Sequence, residues 1–80
     1  MRFETTDINR TSYLAVAGLV FAILSQPHTN QALFVFEDTP QLRDALMDYE
    51  RGVSLPAKAL LLTRTRLYHE ASRVARGGGL

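Results

Sequence analysis

The side chains best placed to do chemistry lie toward the C-terminal end, where Lys58, Arg66, His69, Arg73 and Arg76 recur at helical spacing. On an α-helix the 66, 69, 73, 76 spacing lines one side with cations over about 15 Å, from the 1.5 Å rise per residue. A stripe of that kind suits the phosphates of DNA or RNA, because the planar guanidinium can hold two phosphate oxygens at once. Arginine outnumbers lysine eight to one, which favours specific polar contacts over plain solubility. The plainer reading is a solvated outer face, with Glu70 one turn from both Arg66 and Arg73 as an i+4 and i+3 partner.

Other chemistry is sparse. His28 and His69 are the only histidines and there are no cysteines, so neither a metal site nor a disulfide framework is expected. Ser12, Ser25, Ser54 and Ser72 carry no nucleophile signature. Gly77–Gly79 follow a helical pattern, whereas a phosphate cradle needs glycines after a strand. The paired acids Glu37-Asp38 are explained by the positive end of a following helix. The expectation is a non-enzymatic protein with no cofactor and no small-molecule substrate.

Eighty residues make one domain, read as residues 1–76 with a flexible glycine-rich tail at 77–80. A chain this short buries roughly 60–65% of its unfolded surface, and small domains without staples often gain stability by self-association. Residues 1–50 hold three arginines against seven acids, a net of −4, and residues 51–80 hold six basic groups against Glu70, a net of +5. This reads either as an acidic body with a basic tail, or as halves that neutralise each other in the fold or across a dimer. The longest uncharged apolar run, Leu14–Leu24, is too short to span a bilayer. Acids at Glu4 and Asp7 do not fit a signal peptide, and the lack of cysteine suits a reducing compartment, so a cytoplasmic location is expected.

The elements that must position these residues follow from periodicity. Arg2–Thr5 alternates as a short strand. Asp7 or Thr6 caps a helix over Ile8–Ala17, which Gly18 ends in the left-handed region. One uninterrupted helix from Ile8 to Ser25 is the alternative. The apolar runs Leu19–Leu24 and Ala32–Phe36 flank Pro27-His28-Thr29-Asn30, good turn chemistry, and predict a hairpin. That register sets Phe21 against Phe36 and Ile23 against Phe34 on one face, with Ala22 against Val35 and Leu24 against Leu33 on the other. Thr39 or Asp38 then caps a helix over Pro40–Arg51, with Leu42, Ala45, Leu46 and Tyr49 on its packed face and Gly52 as its stop. A last helix spans Pro56–Arg76.

In that last helix Ala57, Leu60, Leu61, Leu67, Tyr68, Ala71, Val74 and Ala75 share one side, opposite the basic stripe. Arg64 falls within the apolar side. It is expected either to pair internally with Asp44, Asp48 or Glu50, or to meet a partner at an interface.

Phe3-x-Thr5-x-Asp7, the alanine-rich helix closed by Gly18, Leu33-Phe34-Val35-Phe36-Glu37-Asp38-Thr39-Pro40-x-Leu42, and Tyr49-x-x-Gly52 with Leu60 and Leu67 beyond it together form a recognisable pattern. It resembles a family of short proteins of unknown function found in bacteria, their phages and mobile elements. The resemblance covers nearly the whole chain, supports the break at Gly18, and carries no known active-site residues.

These readings converge on an α+β fold, β-α-β-β-α-α, with a small antiparallel sheet and helices packed on it. If all three helices lie on one sheet face, the other exposes either Val20, Ala22, Leu24, Leu33 and Val35 or the phenylalanines, an association surface either way. The expected interface residues are Val20, Leu24, Leu33, Val35, Arg64 and Tyr68. The expected partner is a second copy in a homodimer, or another protein, with DNA or RNA as the alternative and no membrane.

Overall fold

The computed structural model describes residues 1–26, 29 and 31–75. Three strands and three helices follow in the order β1 (Arg2–Thr5), α1 (Ile8–Val16), β2 (Phe21–Ser25), β3 (Ala32–Glu37), α2 (Pro40–Glu50) and α3 (Ala57–Ala75). This is the expected β-α-β-β-α-α arrangement, and the break at Gly18 is present. Three residues of the expected turn, 27, 28 and 30, lie outside the described residues, as do Arg76 and the tail at 77–80.

Local chemistry accounts for both ends of α1 and of α2. The Asp7 carboxylate accepts from the Asn9 and Arg10 N–H groups at 2.9 and 3.2 Å and starts α1. The Thr39 hydroxyl accepts from the Leu42 N–H at 3.1 Å, and Pro40 opens α2 where no N–H is needed. Both helices stop alike. Gly18 (φ 98°) and Gly52 (φ 76°) adopt the left-handed conformation, and the next residue reaches back over the last turn. Leu19 N–H donates to the Leu14 carbonyl and Gly18 N–H to that of Ala15, while Val53 N–H donates to Asp48 and Gly52 N–H to Tyr49. These are paired Schellman closures.

The sheet has the order β1-β3-β2. β3 pairs antiparallel with both neighbours, and the hairpin register is the expected one, Phe21 with Phe36 through Ser25 with Ala32. On the other side Phe3 pairs with Phe36 and Thr5 with Phe34. β1 and β2 therefore flank a strand that comes later in the chain, a split β-α-β unit whose crossover helix α1 must lie across one face.

Alternation along β3 assigns the layers. Ala32, Phe34 and Phe36 are buried and face the helices, with Leu14, Leu42 and Ala45 closing the core and Phe3, Phe21, Ile23 and Ala71 packed around it. α1 is enclosed almost all round, so that Thr11, Ser12, Tyr13 and Leu14 are buried in succession. The two buried hydroxyls are satisfied within the helix, Thr11 donating to the Asp7 carbonyl and Ser12 to that of Ile8.

A side chain at Gly18 would meet no atom within 4 Å, so its cost is purely conformational. Gly18→Ala is expected to destabilise the fold by about 1–2 kcal/mol, the penalty for an L-residue in the left-handed region, read from the urea midpoint at unchanged slope; no loss would mean α1 does not depend on that closure.

Candidate interaction surfaces

All three helices lie on the phenylalanine side, so no described residue forms a layer on the opposite face of the sheet. It carries Ala22 and Leu24 from β2, Leu33 and Val35 from β3, Arg2 and Glu4 from β1, and Val20 just ahead of β2. Val20 is 87% exposed and Leu24 42%, whereas Leu33 and Val35 on the central strand are half-buried. Arg2 and Glu4 pair at 3.0 Å along the β1 edge. A shallow depression lined by Arg2, Val20, Ala22, Val35 and Glu37 sits on this face. Four of the expected interface residues, Val20, Leu24, Leu33 and Val35, are thus gathered on one surface.

α3 differs from expectation in its rotation. Leu67 is its only buried residue, Leu60, Thr63, Ala71 and Val74 flank it half-buried, and Leu61 and Tyr68 are 66% and 58% exposed. The apolar arc of the helix is wider than the surface it packs on, so one margin of it faces outward. Arg64 accordingly does not pair internally with Asp44, Asp48 or Glu50. It is exposed, and its Nε donates to Asn9 Oδ1 of α1 at 2.7 Å. Lys58, Arg66, His69 and Arg73 are all exposed. Among the described residues no ion pair joins Glu70 to Arg66 or Arg73, so the two guanidinium groups face solvent. His69 meets only the edge of the Tyr68 ring, at 6.1 Å.

A joint between α1 and α2 had no counterpart in the sequence reading. Tyr13 stacks edge-on against Tyr49 at 5.2 Å and donates its hydroxyl to the Val53 carbonyl at 2.8 Å. The Arg10 guanidinium lies 5.9 Å from the Tyr49 ring centre and 3.5 Å from the Glu50 carboxylate. Burial, and then the nearby Asp48 charge, raise the Tyr13 pKa, so the phenol stays protonated as a donor. The short link between Gly52 and Leu55, which ties the end of α2 to the start of α3, was the available signal. Among the described residues no three His, Cys, Asp or Glu side chains cluster to hold a metal, and no helix is long and apolar enough to cross a membrane.

The chain belongs to a family of unknown function. The profile of "Domain of unknown function (DUF5659)" matches residues 1–65. That span takes in the whole sheet, α1, α2 and the first half of α3. Neither a curated protein nor a solved structure matches the chain significantly.

At the mouth of α2, Arg43 forks onto Asp38 at 3.0 and 3.2 Å. That hydrogen bonding, with the Arg43 and N-terminal charges added, outweighs partial burial and lowers the Asp38 pKa. The pair's contribution is complete above the ordinary aspartate value of about 3.9 and is lost as pH falls through the lowered folded value. Arg43→Gln is therefore expected to flatten the acid limb of a melting-temperature profile below that pH and to leave its shape near neutrality unchanged. An identical acid limb in both proteins would contradict the assignment.

Proposed function

We propose that this is a small non-enzymatic accessory protein of phage or mobile-element type, which works by associating with itself or with another protein through the uncovered sheet face. The observation that carries this reading is the one-sided packing of the helices, which leaves Val20, Ala22, Leu24, Leu33 and Val35 as a contiguous apolar surface. Surfaces of that kind mark association sites. Their position inside the family span 1–65 supports it further, as does a cysteine-free composition suited to a reducing cytoplasm. The phage or mobile-element setting rests on the sequence resemblance alone.

Footprinting with hydroxyl radicals tests it. Reactivity at Leu24, Leu33 and Val35 is expected to fall as the protein is raised to tens of micromolar or given its partner, and Val35→Lys is expected to abolish the protection. Constant reactivity at every concentration and in an extract of the native host would refute the reading.

One observation favours a second reading. Lys58, Arg66, His69 and Arg73 are exposed and hold no ion pair among the described residues, as a phosphate-binding stripe requires. Nucleic-acid binding would make affinity for a DNA or RNA probe fall steeply with salt, with a smaller salt slope in Lys58→Ala and Arg73→Ala. Fluorescence anisotropy showing no binding at low salt would remove it. The acidic first half of the chain and the position of residues 66–76 beyond the family span make it the weaker of the two.

A further inference from the structure

The two edges of the sheet are unlike. β1 carries the Arg2–Glu4 ion pair along its length, a common way of discouraging a further strand. The other edge, β2, reads Phe-Ala-Ile-Leu-Ser, with no charge, no proline and no break in register. Among the described residues no strand pairs with its outer side.

The ladder shows which backbone groups are left over. Asp38 N–H donates to the Met1 carbonyl at 3.3 Å, one step beyond the Arg2–Glu37 pair. Hydrogen-bonded pairs alternate along an antiparallel ladder, so Phe36 and Phe34 direct their backbone groups toward β1. Val35 and Leu33 direct theirs toward β2, where they face Ala22 and Leu24. The N–H and C=O groups of Phe21, Ile23 and Ser25 therefore point away from the sheet. They are spaced symmetrically about Ile23.

We infer that the outer edge of β2 joins the same edge of a second copy about a two-fold axis at Ile23. The result is a continuous six-stranded antiparallel sheet in the order β1-β3-β2-β2-β3-β1. This rests on the self-association half of the reading above and deepens it: the second copy takes the sheet edge, which leaves the sheet face to a different protein. In that register Ile23 pairs with its own copy and Phe21 with the copy's Ser25, so every outward N–H and C=O of both strands is used. An uncharged strand offers nothing to repel its twin.

The helix layer selects a second copy over an unrelated strand. α3 contacts both β2 and β3, which sets its axis about one strand spacing from the two-fold. With strands about 4.8 Å apart, the two α3 axes come to lie about 10 Å from each other, a packing distance for helices. They run antiparallel. Because Arg64 turns toward α1, the flank carrying Ala59, Leu62, Arg66 and Glu70 turns the other way, outward above the β2 edge. Leu62 is 64% exposed there. Arg66 and Glu70 lie one turn apart on that flank, so helices that cross midway between them set each Arg66 against the Glu70 of the other copy.

Sedimentation equilibrium of the full chain at tens of micromolar is expected to give twice the 9.0 kDa chain mass. Ser25→Pro removes one outward donor per copy while sparing the bonds to β3, and should weaken the dimer about thirtyfold, the usual net value of two hydrogen bonds. Arg66→Glu and Glu70→Arg should each weaken it, and the double exchange should restore it. Restoration guards against a misfolded single variant. Val35→Lys, at the centre of the sheet face, should leave this dimer intact. A dimer lost in Val35→Lys but unmoved by the other variants would overturn the edge contact and leave the face reading standing. A wild-type monomer at that concentration would overturn the edge contact and leave only a different protein for the face.

Discussion

The alternation of side chains along β3 is the constraint on which everything else depends. β3 enters between β1 and β2, so every residue of the sheet takes its side from this strand. Ala32, Phe34 and Phe36 turn to one side and become the floor of the core; Leu33 and Val35 turn to the other. A slip of one residue would exchange the two sets. The crossover then commits α1 to the aromatic side, α2 and α3 close around it, and the opposite side is left without a layer of its own.

The consequences run through the helices. α1 is short, yet it is enclosed by the sheet, α2 and α3, and its buried Thr11 and Ser12 bond back to their own helix because no water reaches them. Tyr13 carries the connection outward to Tyr49 at the end of α2 and to the Val53 carbonyl in the link to α3. α3 packs along a narrow line centred on Leu67, which frees both its flanks. Among the described residues, the apolar surface left exposed lies on the sheet and on the flanks of α3.

Much of this was legible in the residues. The stops at Gly18 and Gly52 and the hairpin register follow from short-range chemistry, which also narrowed each cap to two neighbours, Thr6 or Asp7 and Asp38 or Thr39, of which the structure uses Asp7 and Thr39. The rotation of α3 was not legible. Its apolar arc runs from Leu67 round to Leu61, and nothing in a helical wheel says which part of a wide arc meets the sheet. Arg64 was misplaced for the same reason: it sits inside the arc on the wheel but at its uncovered margin in the fold. The Arg10–Tyr49–Glu50 and Tyr13–Val53 contacts join residues about 40 positions apart, and no local spacing encodes them. Of the expected sites, the sheet-face residues came together because they share one strand period, and Lys58, Arg66, His69 and Arg73 are exposed along α3 as their helical spacing implies.

One-sided packing is open to direct measurement by methyl NMR with a soluble paramagnetic agent, on dilute monomeric protein. The methyl groups of Ala22, Leu24 and Val35 should relax strongly, and those of Leu14 and Leu42 hardly at all. Methyls of Val35 shielded as well as those of Leu14 would mean that the helices divide between the two sheet faces, and the architecture described here would be wrong.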